Sequence, residues 1–296
     1  KGERGLELAI FRSKDGGENF EKIVSFSKSD LNIQSHKVIS IEGASLNMKG
    51  KTVELYVSTE KEKEYPPGFE QYRKPGTGVW SIDRIVADSV ENLKKGRLEP
   101  FLDSQDPLHL HIKDPTLVHY PSGKEVLIFC THPYTWASTN SGFMIRDGKD
   151  FDLPIFDFFS RGLAWDIAVT RITDILPLLP SYGFLPDTVN LVIYDGAECL
   201  RPHDENVKAV KRPRGYSCEE IGGVAWFPAE DLEKIERLSA NTPLFFSPYG
   251  TGCSRYVHTC VGKKGIYATW QQSQPTGAQP LVVHRLDWED VHKLLT

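Results

Sequence analysis

Five times along this chain a short hydrophobic run gives way to Ser or Arg with Asp and then to a polar stretch. The copies are IFRSKDGGENF (10–20), VWSIDRIVADSVENL (79–93), FMIRDGKDF (143–151), VAWFPAEDLEKIERL (224–238) and LVVHRLDWEDVHKLL (281–295). Ahead of four of them lie an earlier apolar run and a middle strand: EGASLNM then TVELYVST, PTLVHY then EVLIFCTH, WDIAVTRI then VNLVIY, and RYVHTCV then GIYATW. The runs are 6–8 residues long, rich in β-branched and aromatic residues, and punctuated by Gly, Pro, Asn and Asp, which is the signature of strands and tight turns. A repeat of such units specifies stacked antiparallel sheets. The expected fold is an all-β, five-bladed β-propeller of four-stranded blades, one domain over residues 1–296. The first copy lacks the inner strands of the others, so the first blade is expected to be incomplete at its N-terminal side.

Composition narrows the function classes. At 296 residues and 40% hydrophobic, the chain can bury a sizeable core. A net charge of −5 without a basic tract disfavours nucleic acid as the partner. No apolar run approaches the roughly 20 residues that span a bilayer. The five cysteines form no CxxC pair, so neither a zinc site nor another cofactor is indicated. The first residue is Lys, which is compatible with a removed leader. The compartment stays open between secreted, periplasmic and cytoplasmic, and the oligomeric state is not specified.

In a propeller the innermost strand of each blade starts at one mouth of the channel, and the loop joining the second and third strands returns to that mouth. The strand starts supply Glu42, Asp114, Asp166, and Arg255 with His258. The loops supply Tyr65, Phe69, Tyr72, His132, Tyr134, Trp136, His203, Arg214, Tyr216, Glu219 and Glu220. Carboxylates ringed by aromatic faces, arginines and histidines suit a sugar. Aromatic rings stack on its C–H surfaces, carboxylates perform acid–base work, and Arg or His binds hydroxyls or an acid group. The catalytic candidates are Asp114, Asp166, Glu219, Glu220 and Glu42. The substrate-binding candidates are His132, Tyr134, Trp136, Arg214, Tyr216, Arg255 and His258. Glu219 and Glu220 are neighbours, so in a strand only one faces the channel. The charged run at 60–64 reads as a solvated loop.

Two motifs carry a family resemblance. SKDGGENF (13–20) is similar to the Asp-box turn of sialidases and other propellers, in which Asp15 would accept backbone N–H groups, Gly17 would take positive φ and Phe20 would pack beneath. KDP at 113–115 is similar to the RDP element of family 32 glycoside hydrolases, and the blade rhythm resembles the five-bladed families 43, 32, 68 and relatives. The resemblance implies that Asp114 positions substrate and tunes the acid. It implies an acid in the next blade, where Asp166, Glu219 and Glu220 are available. The family's nucleophile or base is an Asp on the first inner strand, which this sequence does not show.

The leading reading is therefore a glycosidase acting on a carbohydrate. The alternatives are a non-catalytic propeller that binds carbohydrate or protein, a sialidase-like enzyme clamping an acidic sugar with Arg171, Arg214 and Arg255, and a lyase using a metal on His109, His111 and His132.

Overall fold

The computed structural model describes residues 4–33, 36–182, 185–198, 201–202, 216–217, 220–249 and 252–295. The chain divides into two compact units, residues 1–119 with 125–156, and residues 120–124 with 157–296.

The first unit opens with a ribbon of β1 (Glu7–Arg12) and β2 (Glu21–Ser27). Two antiparallel meanders follow. One is β3 (Val38–Lys49), β4 (Thr52–Lys61), β5 (Val79–Ala87) and β6 (Arg97–Leu102). The other is β7 (His111–His119), β8 (Glu125–His132), β9 (Asn140–Arg146) and β10 (Ile155–Phe159). The second unit carries β11 (Val169–Leu178), β12 (Val189–Ala197), the short ribbon β13 (Arg201–Pro202) and β14 (Tyr216–Ser217), β15 (Ile221–Pro228) and β16 (Glu236–Arg237). It ends with the three-stranded sheet β17 (Ser254–Val261), β18 (Gly265–Gln272) and β19 (Leu281–Asp287), then helix α1 (Trp288–Leu295).

Each meander is a propeller blade, and the fold is an all-β propeller. The count differs from the expected five. Four sheets have three or four strands, while the first repeat forms only the two-stranded β1–β2 ribbon.

The turn in that ribbon is made by Asp15, whose Oδ1 accepts the N–H groups of Glu18 (3.2 Å) and Asn19 (3.0 Å), while Gly16 and Gly17 take φ near +90°. Phe20 does not pack beneath it; the residue is 53% exposed. The charged run at 60–64 departs from expectation at its first two residues, while Glu62 and Glu64 are exposed and lie outside the strands. Glu60 and Lys61 end β4 fully buried. Lys61 Nζ lies 2.7 Å from Asp83 Oδ2 and donates to Thr59 and Ser81 hydroxyls. Burial lowers its pKa against the Asp83 charge.

The core of the first unit is aliphatic around β3–β5, with Val24, Phe26, Leu31, Leu55, Val57 and Ile85 in one cluster. A second cluster joins Tyr56, Ile82, Ile112, Leu127 and Phe129. These strands alternate little because both faces of a blade are covered, which requires nearly continuous hydrophobic runs.

The first strand of every four- or three-stranded sheet is bulged. The register slips between Ile41 and Ala44, Lys113 and Thr116, Ile172 and Asp174, and Arg255 and His258. A bulge inserts unpaired backbone and re-aims a side chain. At two of them the re-aimed residue is left-handed: Asp114 has φ +54° and Tyr256 φ +56°. Few non-glycine residues adopt this region, and Asp is among the more tolerant.

Candidate active site

The bulge in β7 answers why an acidic residue sits at the mouth of a buried strand. Two residues, Asp114 and Pro115, face one residue of β8, and Pro115 has no N–H for the ladder to miss. The freed N–H of Asp114 donates to Ser58 Oγ of β4 at 2.8 Å, and that of Leu117 donates to Ser45 Oγ of β3 at 3.0 Å. The carboxyl turns onto the face shared by Lys113 and Cys130, which are cross-strand partners. Its Oδ2 accepts the Cys130 thiol at 3.4 Å and lies 3.7 Å from Lys113 Nζ.

Lys113 Nζ also bonds Glu42 Oε2, from the bulge in β3. One ammonium therefore holds two carboxylates from adjacent first strands. Asp114 is buried, whereas the Glu42 side chain is 36% exposed and faces solvent. Gly43 beside it is required: a Cβ there would come within 2.7 Å of Asp114 Oδ1 and 3.1 Å of its Cα. Lys113 Nζ sits 5.1 Å from the centroid of the Trp80 ring, a cation–π contact.

Rings surround this group. Trp136 stacks on His111 at 4.0 Å and tilts against His132 at 4.6 Å. Tyr134 meets Phe69 and Tyr72 edge-on at 4.7 and 4.8 Å. Tyr65 bonds His111 Nε2 at 3.1 Å, and the backbone N–H of Trp80 donates to His111 Nδ1. His111 is thus a neutral imidazole with both nitrogens engaged; burial and the Lys113 charge push its pKa down to about 3. His109 stacks on Phe156. Among the described residues no group of three or more His, Cys, Asp or Glu side chains is arranged to hold a metal ion.

The second unit holds the remaining described candidates. Asp166 precedes β11, completely buried, and accepts from Arg237 Nε at 2.8 Å and Tyr194 Oη at 3.2 Å. His258 Nδ1 lies 3.1 Å from Asp174 Oδ1; desolvation opposes its charge, but the bond to Asp174 raises its pKa overall. Glu220 joins a network with Arg255 through Oε2 and with Arg171 at 3.1 Å through Oε1. Arg171 also binds Asp195 Oδ2 at 2.7 Å, and Arg255 donates to Gln271 Oε1 at 2.9 Å. Burial, with help from the Glu220 charge, pushes Asp195 up to about 6 against the pull of Arg171. Arg214 and Glu219 lie outside the described residues, as does His203, and Tyr216 is placed only by its pairing with Pro202.

Sequence reasoning passed over Lys113, Ser58, Cys130, Asp174 and Asp195. Cys130 had a usable signal: two residues from His132 on one strand, it shares that residue's face. Asp195 had none, because its partners Arg171 and Tyr256 come from other strands.

No family model matches the sequence, and no curated protein matches it. Solved structures do match in fold. An α-L-arabinofuranosidase from Lactobacillus brevis aligns with a TM-score of 0.58 at 10% identity, over 90% of this chain and 78% of that one. A mutant α-L-arabinanase from Cellvibrio cellulosa gives 0.55 at 10%, over 97% and 90%. An endo-arabinase from Bacteroides thetaiotaomicron gives 0.54 at 10%, over 95% and 86%. The fold shared with these proteins is the all-β propeller.

Proposed function

We propose that the chain is a glycoside hydrolase whose site includes Asp114, Lys113 and Glu42 of the first unit. The observation that carries this reading is the single ammonium of Lys113 bridging two carboxylates, one buried and one facing solvent, on bulged first strands of adjacent blades. Two carboxyl groups in different environments are the equipment of glycosidic bond cleavage. Glu42, reachable from solvent, suits proton transfer with the leaving group or a water. Asp114 suits positioning of the substrate and stabilisation of the positive charge that develops on the sugar ring. Trp136, Tyr134 and Tyr72 offer ring faces for the sugar. The fold likeness to arabinan- and arabinofuranoside-cleaving proteins makes L-arabinofuranosides the first substrates to test.

The other expected carboxylates fit this role less well. Asp166 is tied to Arg237 and Tyr194, and Glu220 to two arginines, arrangements that hold structure together. Arg171 and Arg255 are neutralised by Asp195 and Glu220, which speaks against an acidic-sugar clamp built on them. That so many carboxylates are committed to ion pairs favours, as the second reading, a propeller that binds carbohydrate without cleaving it.

The test is a screen of aryl arabinosides, xylosides, fructosides, galactosides and sialosides with the wild type, Asp114→Asn and Glu42→Gln. The hydrolase reading expects cleavage of at least one, strongest on an arabinofuranoside, and a loss in kcat of about 10²- to 10⁴-fold in each variant. Asn accepts the left-handed backbone, so Asp114→Asn keeps the bulge. Silence on all five classes, with sugar binding retained, would establish the second reading instead.

A further inference from the structure

We infer that Cys130 is a positioning residue for Asp114: its thiol fixes Oδ2 of the carboxylate on the face of the β7 bulge. The inference rests on the reading of Asp114 as a site carboxylate.

The geometry is directional. His132 Nδ1 lies 3.2 Å from Ser138 O, which can only accept, and 3.0 Å from Thr139 Oγ1, which can donate or accept; the two contacts brace the ring. Its Nε2 lies 3.8 Å from Cys130 Sγ. The thiol hydrogen has two acceptors within reach, and the carboxylate at 3.4 Å is both closer and charged, so the S–H points to Asp114 Oδ2. A proton on His132 Nε2 would donate to sulfur and commit the thiol hydrogen to Asp114.

Cys130 is completely buried, so the bond is shielded from water. Lys113 Nζ also approaches Oδ2, at 3.7 Å, but it is shared with Glu42. From β4 the group facing Asp114 is the neutral hydroxyl of Ser58. Charged and titratable groups that face the carboxylate include Lys113 on its own strand, Glu42 on β3 through that ammonium, and Cys130 with His132 on β8. Register explains why Cys130 is the residue that reaches it. Cys130 pairs with Lys113, and the bulge that follows returns the side chain of Asp114 to their side.

The test compares wild type, Cys130→Ala and Cys130→Ser. A serine hydroxyl still donates, while alanine removes the donor with little change in volume. Carbon-13 labelling of aspartate carboxyls, with the Asp114 signal assigned by Asp114→Asn, follows ionisation without reference to catalysis. The expected result is an Asp114 titration midpoint about half a pH unit higher in Cys130→Ala, restored in Cys130→Ser, because a lost donor disfavours the charged carboxylate. On an aryl arabinofuranoside, kcat falls about 10-fold in the alanine variant with KM nearly unchanged, its acid limb moves with the midpoint, and serine rescues both. An Asp114 titration in Cys130→Ala that superimposes on the wild type overturns the inference. If the wild type cleaves no glycoside, the hydrolase reading falls, and the titration still decides whether Cys130 holds Asp114.

Discussion

The two units fasten one blade to the next with the same pattern of backbone donors and different acceptors. In the first unit the left-handed bulge residue of β7, Asp114, donates its N–H to Ser58 on the second strand of the preceding blade. Three residues on, Leu117 donates to Ser45 on that blade's first strand. In the second unit the left-handed bulge residue of β17, Tyr256, donates to Asp195 on β12 at 3.1 Å, and Thr259, three residues on, donates to Asp174 on β11 at 2.7 Å. Serines hold the first latch and aspartates the second. The residue before each bulge is cationic and bonds a carboxylate: Lys113 with Glu42, Arg255 with Glu220.

The difference teaches where a carboxylate can be put to work. Neutral latches in the first unit leave the bulge position itself to carry an acid, Asp114. In the second unit the acids are inside the latch, so charge compensation by Arg171 becomes a condition of folding, and the bulge carries Tyr256, whose ring lies 4.0 Å from the Arg171 guanidinium. A buried charge is tolerable only when paired.

The largest effect should come from Arg171→Leu, which leaves Asp195 and Glu220 facing each other without that guanidinium. It should cost about 3–5 kcal/mol in urea unfolding of the second unit. A loss of under about 1 kcal/mol would show that the aspartate latch needs no compensation. Next is the pH dependence of that latch. The folded pKa of Asp195, about 6, lies above the usual aspartate value, so the native state binds a proton that the unfolded chain releases. Its contribution is fully present below about pH 4 and is lost as the pH rises through about 6, a change on the order of 3 kcal/mol. Hydrogen exchange at the Tyr256 amide, corrected for intrinsic rate, should show opening becoming easier over that window in the wild type. Asp195→Asn should remove the slope, and identical slopes would sink the assignment. The smallest effect is expected from Ser58→Ala in the neutral latch, about 1 kcal/mol, read as faster exchange of the Asp114 amide. A cost equal to that of Arg171→Leu would erase the distinction between the latches.

Much of the scaffold was legible in the chain. The runs EGASLNM, PTLVHY and RYVHTCV fall within or overlap the first strands β3, β7 and β17, and the loops at 64–76, 132–140 and 272–280 join second to third strands. Alternation and turn residues are local, so they survive being read one residue at a time. The site was legible only in part. Asp114 was marked by KDP, and Glu42 by its place near a strand start. Asp166 was marked by the same rule, yet Arg237 and Tyr194 enclose it, and both lie far along the chain. At 60–64 only the start of the run misled: Lys61 is buried against Asp83, which is on the next strand, while Glu62 and Glu64 are exposed.

Sequence by itself determined the strand rhythm and the acidic mouth of β7, because these depend on neighbours in the chain. Tertiary structure decided which charges are spent and which remain available. Glu42 and Lys113 are 71 residues apart, and their contact exists only because β3 packs beside β7 with a glycine at the point of closest approach. The bulges decide the rest: one inserted residue reverses the direction of a side chain, and no local pattern of hydrophobicity records that reversal.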